Sequence, residues 1–251
     1  MRDLTYPAII LTARVGFRAL GIRFQISGAE HVPREGGAVI AFNHISYADF
    51  IFGGYAAVPA DRLVRFMAKR EIFDHRLAGP LMRSMHHIRV DRADGIGSYD
   101  EAVGYLRAGE VVGMFPEATI SRSFELKTFK TGAVRMAAQA AVPLVPAVLW
   151  GTQRIITKDH PRDLSRGKTL AVTVGAPMHP DGTDPAAQTA ALKAEMTALL
   201  ATTIAAYPAA EQPPGSWWLP AAYGGSAPTP AEAAVLEDAE RERRLRRRRA
   251  Q

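Results

Sequence analysis

Ala38-Val-Ile-Ala-Phe-Asn-His-Ile-Ser-Tyr-Ala-Asp49 decides the fold. Its first five residues, Ala38 to Phe42, make an uninterrupted apolar run of strand length, the pattern of a strand buried on both faces of a sheet. Polar residues follow at once, with Asn43 and His44 at the strand exit. Ser46 and Asp49 stand three apart, just before the apolar run Phe50-Ile51-Phe52. The serine and aspartate read as a capping box that opens a helix. Asp49 therefore has two readings: a capping acid, or a carboxylate that accepts a hydrogen bond from one nitrogen of His44 and raises the basicity of the ring.

The same rhythm extends outward. Ile22 to Ile26, Val64 to Ala68, Ile88 to Val90, Val111 to Phe115, Leu144 to Trp150 and Thr169 to Val174 have strand length and composition, and residues 50–58, 99–108 and 129–141 read as helices between them. The fold class is α/β, a largely parallel central sheet flanked by helices. Ser98 and Glu101 form a second capping box, and Asp184-Pro185 opens a long alanine-rich helix that ends near Tyr207. Residues 1–207 form one domain, and residues 208–230 form an arm rich in proline and glycine. Residues 231–251 form a basic C-terminal helix opened by Thr229-Pro230-Ala231-Glu232. Trp217 and Trp218, within the arm, either anchor it on the domain or sit at a membrane boundary.

Composition removes several classes. A chain of 251 residues is long enough to bury one sizeable core without staples. It has no cysteine, which excludes disulfides, thiolate metal sites and a cysteine acyl-enzyme, and fits a reducing compartment. Its seven histidines lack zinc-binding spacing, so no metal site is expected. The net charge is +6, of which residues 240–251 supply +5, from seven arginines against Glu240 and Glu242; about +1 is left for the rest. Such a tail is a solvated helix end or a contact for an anionic membrane surface. No aromatic residues interleave with the arginines, so no nucleic-acid partner is expected.

No leader is evident, and no uncharged run reaches the roughly 18 to 20 residues that cross a bilayer. Residues 1–20 carry Tyr6, Ile9, Ile10, Leu11, Val15, Phe17 and Leu20, broken by Arg14 and Arg18. This segment is a helix lying in the membrane interface or one packing on the core. Peripheral or monotopic placement on the cytoplasmic face of a membrane is the expectation.

A second carboxylate, Glu117, stands at another strand exit, in Phe115-Pro116-Glu117-Ala118-Thr119-Ile120-Ser121. Open α/β sheets bind ligands along that edge. Together with Asn43-His44-x-Ser46-x-x-Asp49, this block resembles the glycerolipid acyltransferase family, whose members move fatty acyl chains to glycerol 3-phosphate or lysophosphatidic acid. Two further blocks are similar to the family pattern, His86-His87-Ile88-Arg89-Val90-Asp91-Arg92 and Val142-Pro143-Leu144-Val145-Pro146-Ala147. The resemblance covers roughly residues 20 to 175. The chain departs from it where Ala118 and Ile120 stand in a segment that is usually Glu-Gly-Thr-Arg, and where His86 and Arg89 replace the usual glycine and phenylalanine.

The resemblance implies an O-acyltransferase that takes its acyl group from a thioester, acyl-CoA or acyl carrier protein, as a substrate and not a cofactor. His44 deprotonates the acceptor hydroxyl and Asp49 orients the ring. Ser46, in a capping position and without a Gly-x-Ser-x-Gly elbow, is not expected to be a nucleophile. Glu117 is a strand-end acid or, by resemblance, a contact for acceptor hydroxyls. Lys69, Arg92 and Lys130 align by resemblance with the basic positions of an acceptor-phosphate pocket, and Arg89 and Arg122 are candidates to replace the cation lost at Ile120. Two alternatives stay open: another lysophospholipid or glycolipid acceptor, and a non-enzymatic lipid-binding module.

Overall fold

The computed structural model describes residues 5–91 and 95–249. One sheet holds seven strands: β1 (Arg23–Ser27), β2 (Ala38–Phe42), β3 (Val64–Lys69), β4 (Ile88–Val90), β5 (Val111–Met114), β6 (Leu144–Trp150) and β7 (Thr169–Val174). Their order is β1-β7-β6-β2-β5-β3-β4. The five strands from β6 to β4 run parallel. β7 lies antiparallel to β6 with β1 parallel to it, so one edge of the sheet runs backwards. All seven apolar runs become strands. β1 starts one residue later than its run, and β5 stops at Met114 because the carbonyl of Phe115 already closes a turn with the amide of Ala118.

Among the described residues eight α-helices accompany the sheet: α1 (Tyr6–Ala19), α2 (Asp49–Ala56), α3 (Arg70–Phe73), α4 (Ala78–Ser84), α5 (Gly95–Arg107), α6 (Gly132–Ala140), α7 (Pro185–Ala206) and α8 (Pro230–Arg249). α3 and α4 are too short to show an apolar period in the sequence. Two caps are corrected. α5 begins at Gly95, so Ser98 lies buried inside the helix and does not open it. α2 is preceded by Ala48, with Ser46 outside the cap position. Asp184 does cap α7, accepting from the amides of Ala186 and Ala187. Thr229 and Glu232 exchange hydrogen bonds at the start of α8.

The core has two faces. On one, α5, α6 and α7 bury Leu106, Met136, Leu192, Met196 and Leu200 against the sheet, and the arm adds Trp218, Leu219 and Ala227. On the other, α2 and the end of α1 cover Phe42, Phe66 and Leu149 with Phe52 and Phe17. A smaller cluster of Tyr6, Phe73, Met82 and Met85 sits under the start of α1. α1 therefore packs one face on the domain, while Leu11, Arg14, Val15 and Arg18 point outward. The tryptophan pair anchors the arm. Trp217 stacks on His160 at 3.8 Å, and Trp218 lies under the Arg154 guanidinium at 4.7 Å, beside Trp150. Among the described residues no helix is long and apolar enough to cross a membrane.

Candidate active site

Strand register builds the site. Ala41 of β2 is level with Met114 of β5, and just past these two strand ends the His44 amide donates to the Glu117 side chain at 2.9 Å. Phe66 of β3 is level with Gly113, and β3 runs on to end at Lys69 on the same side of the sheet. His44, Glu117 and Lys69 thus leave three neighbouring strands at the same edge. Asn43 extends β2 by one rung with its side chain, donating to the carbonyl of Leu149 at 3.0 Å and accepting from its amide at 2.6 Å. The loop beyond is tied from two sides. Ser121 donates its amide to the His44 carbonyl at 2.7 Å, and the hydroxyls of Ser46 and Thr157 reach Ile156 and Ile45 carbonyls at 2.6 and 2.7 Å.

Asp49 is fully buried and each of its oxygens is engaged. Oδ2 accepts from the amides of Ile45 and Ser46, both at 2.7 Å, and from His44 Nδ1 at 2.9 Å. Oδ1 accepts from the Thr152 hydroxyl at 2.6 Å. The two readings of Asp49 are therefore one: the carboxylate that satisfies the start of the α2 turn also orients the imidazole. Because a carboxylate only accepts, Nδ1 carries the hydrogen and Nε2 keeps a lone pair. The ring is 21% exposed and stacks on Phe115, 4.2 Å between centroids. Such an imidazole can take a proton from a hydroxyl placed at Nε2.

Glu117 is 5% exposed. One oxygen accepts the His44 amide at 2.9 Å and the other the Lys127 amide at 3.0 Å, so the residue braces the dyad's backbone. Burial pushes its carboxyl up to about 8, against the pull of those two amides and the Lys127 charge. The neighbouring Ala118 has φ +60° and His86, at the end of α4, has φ +53°. Both occupy places where the family pattern has glycine, and both backbones adopt the left-handed conformation that glycine meets without strain.

The candidate cations are not all gathered. Lys69 ends β3 and the Lys130 amide bonds to the Pro116 carbonyl, so these two flank the same corner. Arg89 lies 4.0 Å from Asp74. Arg92 falls outside the described residues. Arg122 is not a free phosphate ligand here: it is buried and paired with Asp159 at 2.6 Å and Glu240 at 2.9 Å. Ile120, where the pattern has arginine, is 3% exposed. Thr119 accepts from Lys127 Nζ at 2.7 Å. Pro146 lies within β6, where its carbonyl accepts the Gly175 amide at 2.8 Å, and the Pro143 carbonyl accepts from Val39. Among the described residues no three His, Asp or Glu side chains converge as metal ligands. Thr152 and Lys127 belong to no spaced motif, and Thr152 meets Asp49 and Lys127 meets Glu237 across more than a hundred residues of chain.

A carboxylate-oriented imidazole at the strand-exit edge of a mostly parallel sheet defines the class: an α/β domain organised around a histidine base. A family model described as Acyltransferase matches residues 23–150. The 1-acyl-sn-glycerol-3-phosphate acyltransferase of Bacillus subtilis is 30% identical over 172 residues, 68% of this chain and 78% of that protein. The Limnanthes douglasii protein of the same name is 38% identical over 136 residues, 53% of this chain and 47% of its own. The chain thus spans about half the length of that plant relative. The crystal structure of the 1-acyl-sn-glycerophosphate (LPA) acyltransferase PlsC from Thermotoga maritima superposes with a TM-score of 0.65, covering 83% of this chain and 86% of that one at 21% identity. The chain belongs to the glycerolipid acyltransferase family.

Proposed function

We propose that the protein transfers a fatty acyl chain from a thioester to a hydroxyl of lysophosphatidic acid, with glycerol 3-phosphate as the smaller acceptor of the same chemistry. The observation that carries this reading is the 2.9 Å bond between His44 Nδ1 and the buried Asp49 carboxylate, which leaves Nε2 as the base. The acceptor hydroxyl gives its proton to Nε2 as its oxygen bonds to the thioester carbon. The carbon–sulfur bond then breaks, and the thiolate takes the proton back from His44. No covalent enzyme intermediate is required. The donor is acyl-CoA or acyl carrier protein. Lys69, Arg92 and Lys130 hold the acceptor phosphate, with Arg89 nearby, and Glu117 keeps the edge in register for the acceptor hydroxyls. The exposed face of α1 and the arginine segment of α8 bring the site to an anionic membrane surface on its cytoplasmic side, as a peripheral or monotopic attachment.

The buried Ile120 favours a second reading, in which the acceptor is a lysophospholipid or glycolipid without a terminal phosphate. One assay separates them: purified protein, a long-chain acyl-CoA, and a panel of acceptors with and without the phosphate, followed by release of free thiol. Lysophosphatidic acid should be preferred, and His44→Ala should lower turnover by about 10² to 10⁴-fold. Preference for a phosphate-free acceptor selects the second reading. Unchanged turnover in a folded His44→Ala protein overturns both.

A further inference from the structure

Three cations gather where the loops after β5 and β6 meet: Arg122, Lys127 and Lys158. Arg122 and Lys158 are nearly buried, and Lys127 is partly so. Arg122 and Lys158 each follow a residue tied to the dyad's loop, Ser121 through the His44 carbonyl and Thr157 through the Ile45 carbonyl. Arg122 and Lys127 belong to the loop after β5, and Lys158 reaches them from the loop after β6 through a shared partner, Glu240. Three cations this close need anions.

Asp159 supplies one, at 2.6 Å from Arg122 Nε. α8 supplies the rest. Glu240 lies 2.9 Å from Arg122 Nη2 and 3.0 Å from Lys158 Nζ, and Glu237 pairs with Lys127 Nζ. Little else holds this helix. Ala233, Glu237 and Glu240, one stripe at helical spacing, are its covered residues among those described from 231 to 246, while Val235 and Leu236 are 69% and 43% exposed. The fit is incomplete. Arg122 Nη1 and Glu237 Oε1 are buried and find no hydrogen-bond partner among the described residues. Beyond Glu240 the same helix turns basic, with seven arginines from Arg241 to Arg249.

We propose that Arg122, Lys127 and Lys158 form a second anion site, for the phosphate monoester of a lipid headgroup. Glu237 and Glu240 of α8 fill it as a latch until such a headgroup takes their place. The proposal rests on the reading that the His44 site works on lipid. A carboxylate pair can hold the cluster, but a phosphate dianion offers three acceptor oxygens to the same donors, including the unpaired Nη1. Arg241 and Arg246 are exposed in the latched state, so an anionic surface that binds only the arginines does not open the latch. The arginines concentrate the headgroup, and the cluster provides the difference in affinity that moves α8.

Amide hydrogen exchange in α8 of the full chain, without donor or acceptor, tests the proposal. Vesicles containing phosphatidic acid should accelerate exchange across residues 232–240 by about tenfold or more, while neutral phosphatidylcholine vesicles and phosphatidylglycerol, a phosphodiester, should have little effect. Inorganic phosphate is the separate arm: equal opening by the free ion assigns the site to soluble phosphate, and opening on vesicles alone assigns it to the headgroup. The variant Glu237→Gln/Glu240→Gln should exchange fast without lipid and respond no further. Raising salt from about 0.05 to about 0.5 M should loosen the wild-type helix by itself, because ion pairs make most of its contacts with the domain. Equal exchange in wild type and double variant overturns the latch, and equal opening by phosphatidylglycerol overturns the monoester site. His44→Ala should abolish transfer yet keep the latch response, so failure of the latch and failure of the acyltransferase reading give different results.

Discussion

At the scale of single residues, the site depends on how completely one carboxylate is satisfied. Asp49 meets three donors on Oδ2 and the Thr152 hydroxyl on Oδ1. Thr152→Val keeps the shape and removes that last donor from a fully buried oxygen, so the ring loses orientation without losing its contact. Turnover should fall by about tenfold with KM for the acceptor nearly unchanged; a variant that alters only thermal stability makes Thr152 a packing residue. Ala118 offers a second test. Its φ of +60° costs about 1–2 kcal/mol in an L-residue, partly offset by the extra chain entropy that glycine loses on folding. Ala118→Gly should stabilise the protein by up to about 1 kcal/mol in urea unfolding.

At the scale of elements, the pairing of β3 with the end of α4 contains a pH-sensitive joint. The amide of Phe66 donates to His87 Nδ1 at 3.0 Å, so that nitrogen must be unprotonated. Burial, with Arg65 and His86 nearby, lowers the His87 imidazole to about 4. The folded value lies below the ordinary one of about 6.5, so in this window the unfolded chain binds a proton that the folded chain refuses. The stability contributed by neutral His87 is complete above about pH 6.5 and is lost as pH falls toward 4, in total about 3 kcal/mol. His87→Asn keeps an acceptor near the Nδ1 position without titrating. Its urea midpoint should change less between pH 7 and pH 5 than the wild-type midpoint does, whatever the two absolute stabilities.

At the scale of the whole molecule, charge is divided between a nearly neutral domain and a basic end. Each basic residue near an anionic bilayer is worth about 1 kcal/mol, and the effect fades within a Debye length. Deleting residues 241–251 should weaken sedimentation with anionic vesicles, most at low salt, and leave turnover on a soluble short-chain acceptor intact. Unchanged binding at low salt would make the arginines a solvated helix end.

The seven strands, the long helices and the His44–Asp49 pairing were legible in the sequence, because each rests on local information. Apolar runs of strand length, a proline after a cap and a histidine five residues before an aspartate need no knowledge of distant parts. The short helices α3 and α4 were not legible, nor was the true start of α5, because the packing of their neighbours sets them. Only tertiary structure decided what Asp49 does, since the Thr152 hydroxyl that completes it arrives from the end of β6. Only tertiary structure joined the acidic turn of α8 to Arg122, Lys127 and Lys158. A charged side chain in a sequence shows its sign but not its partner, and partners separated by some eighty to a hundred and twenty residues meet only because the sheet order and the path of the arm bring them there.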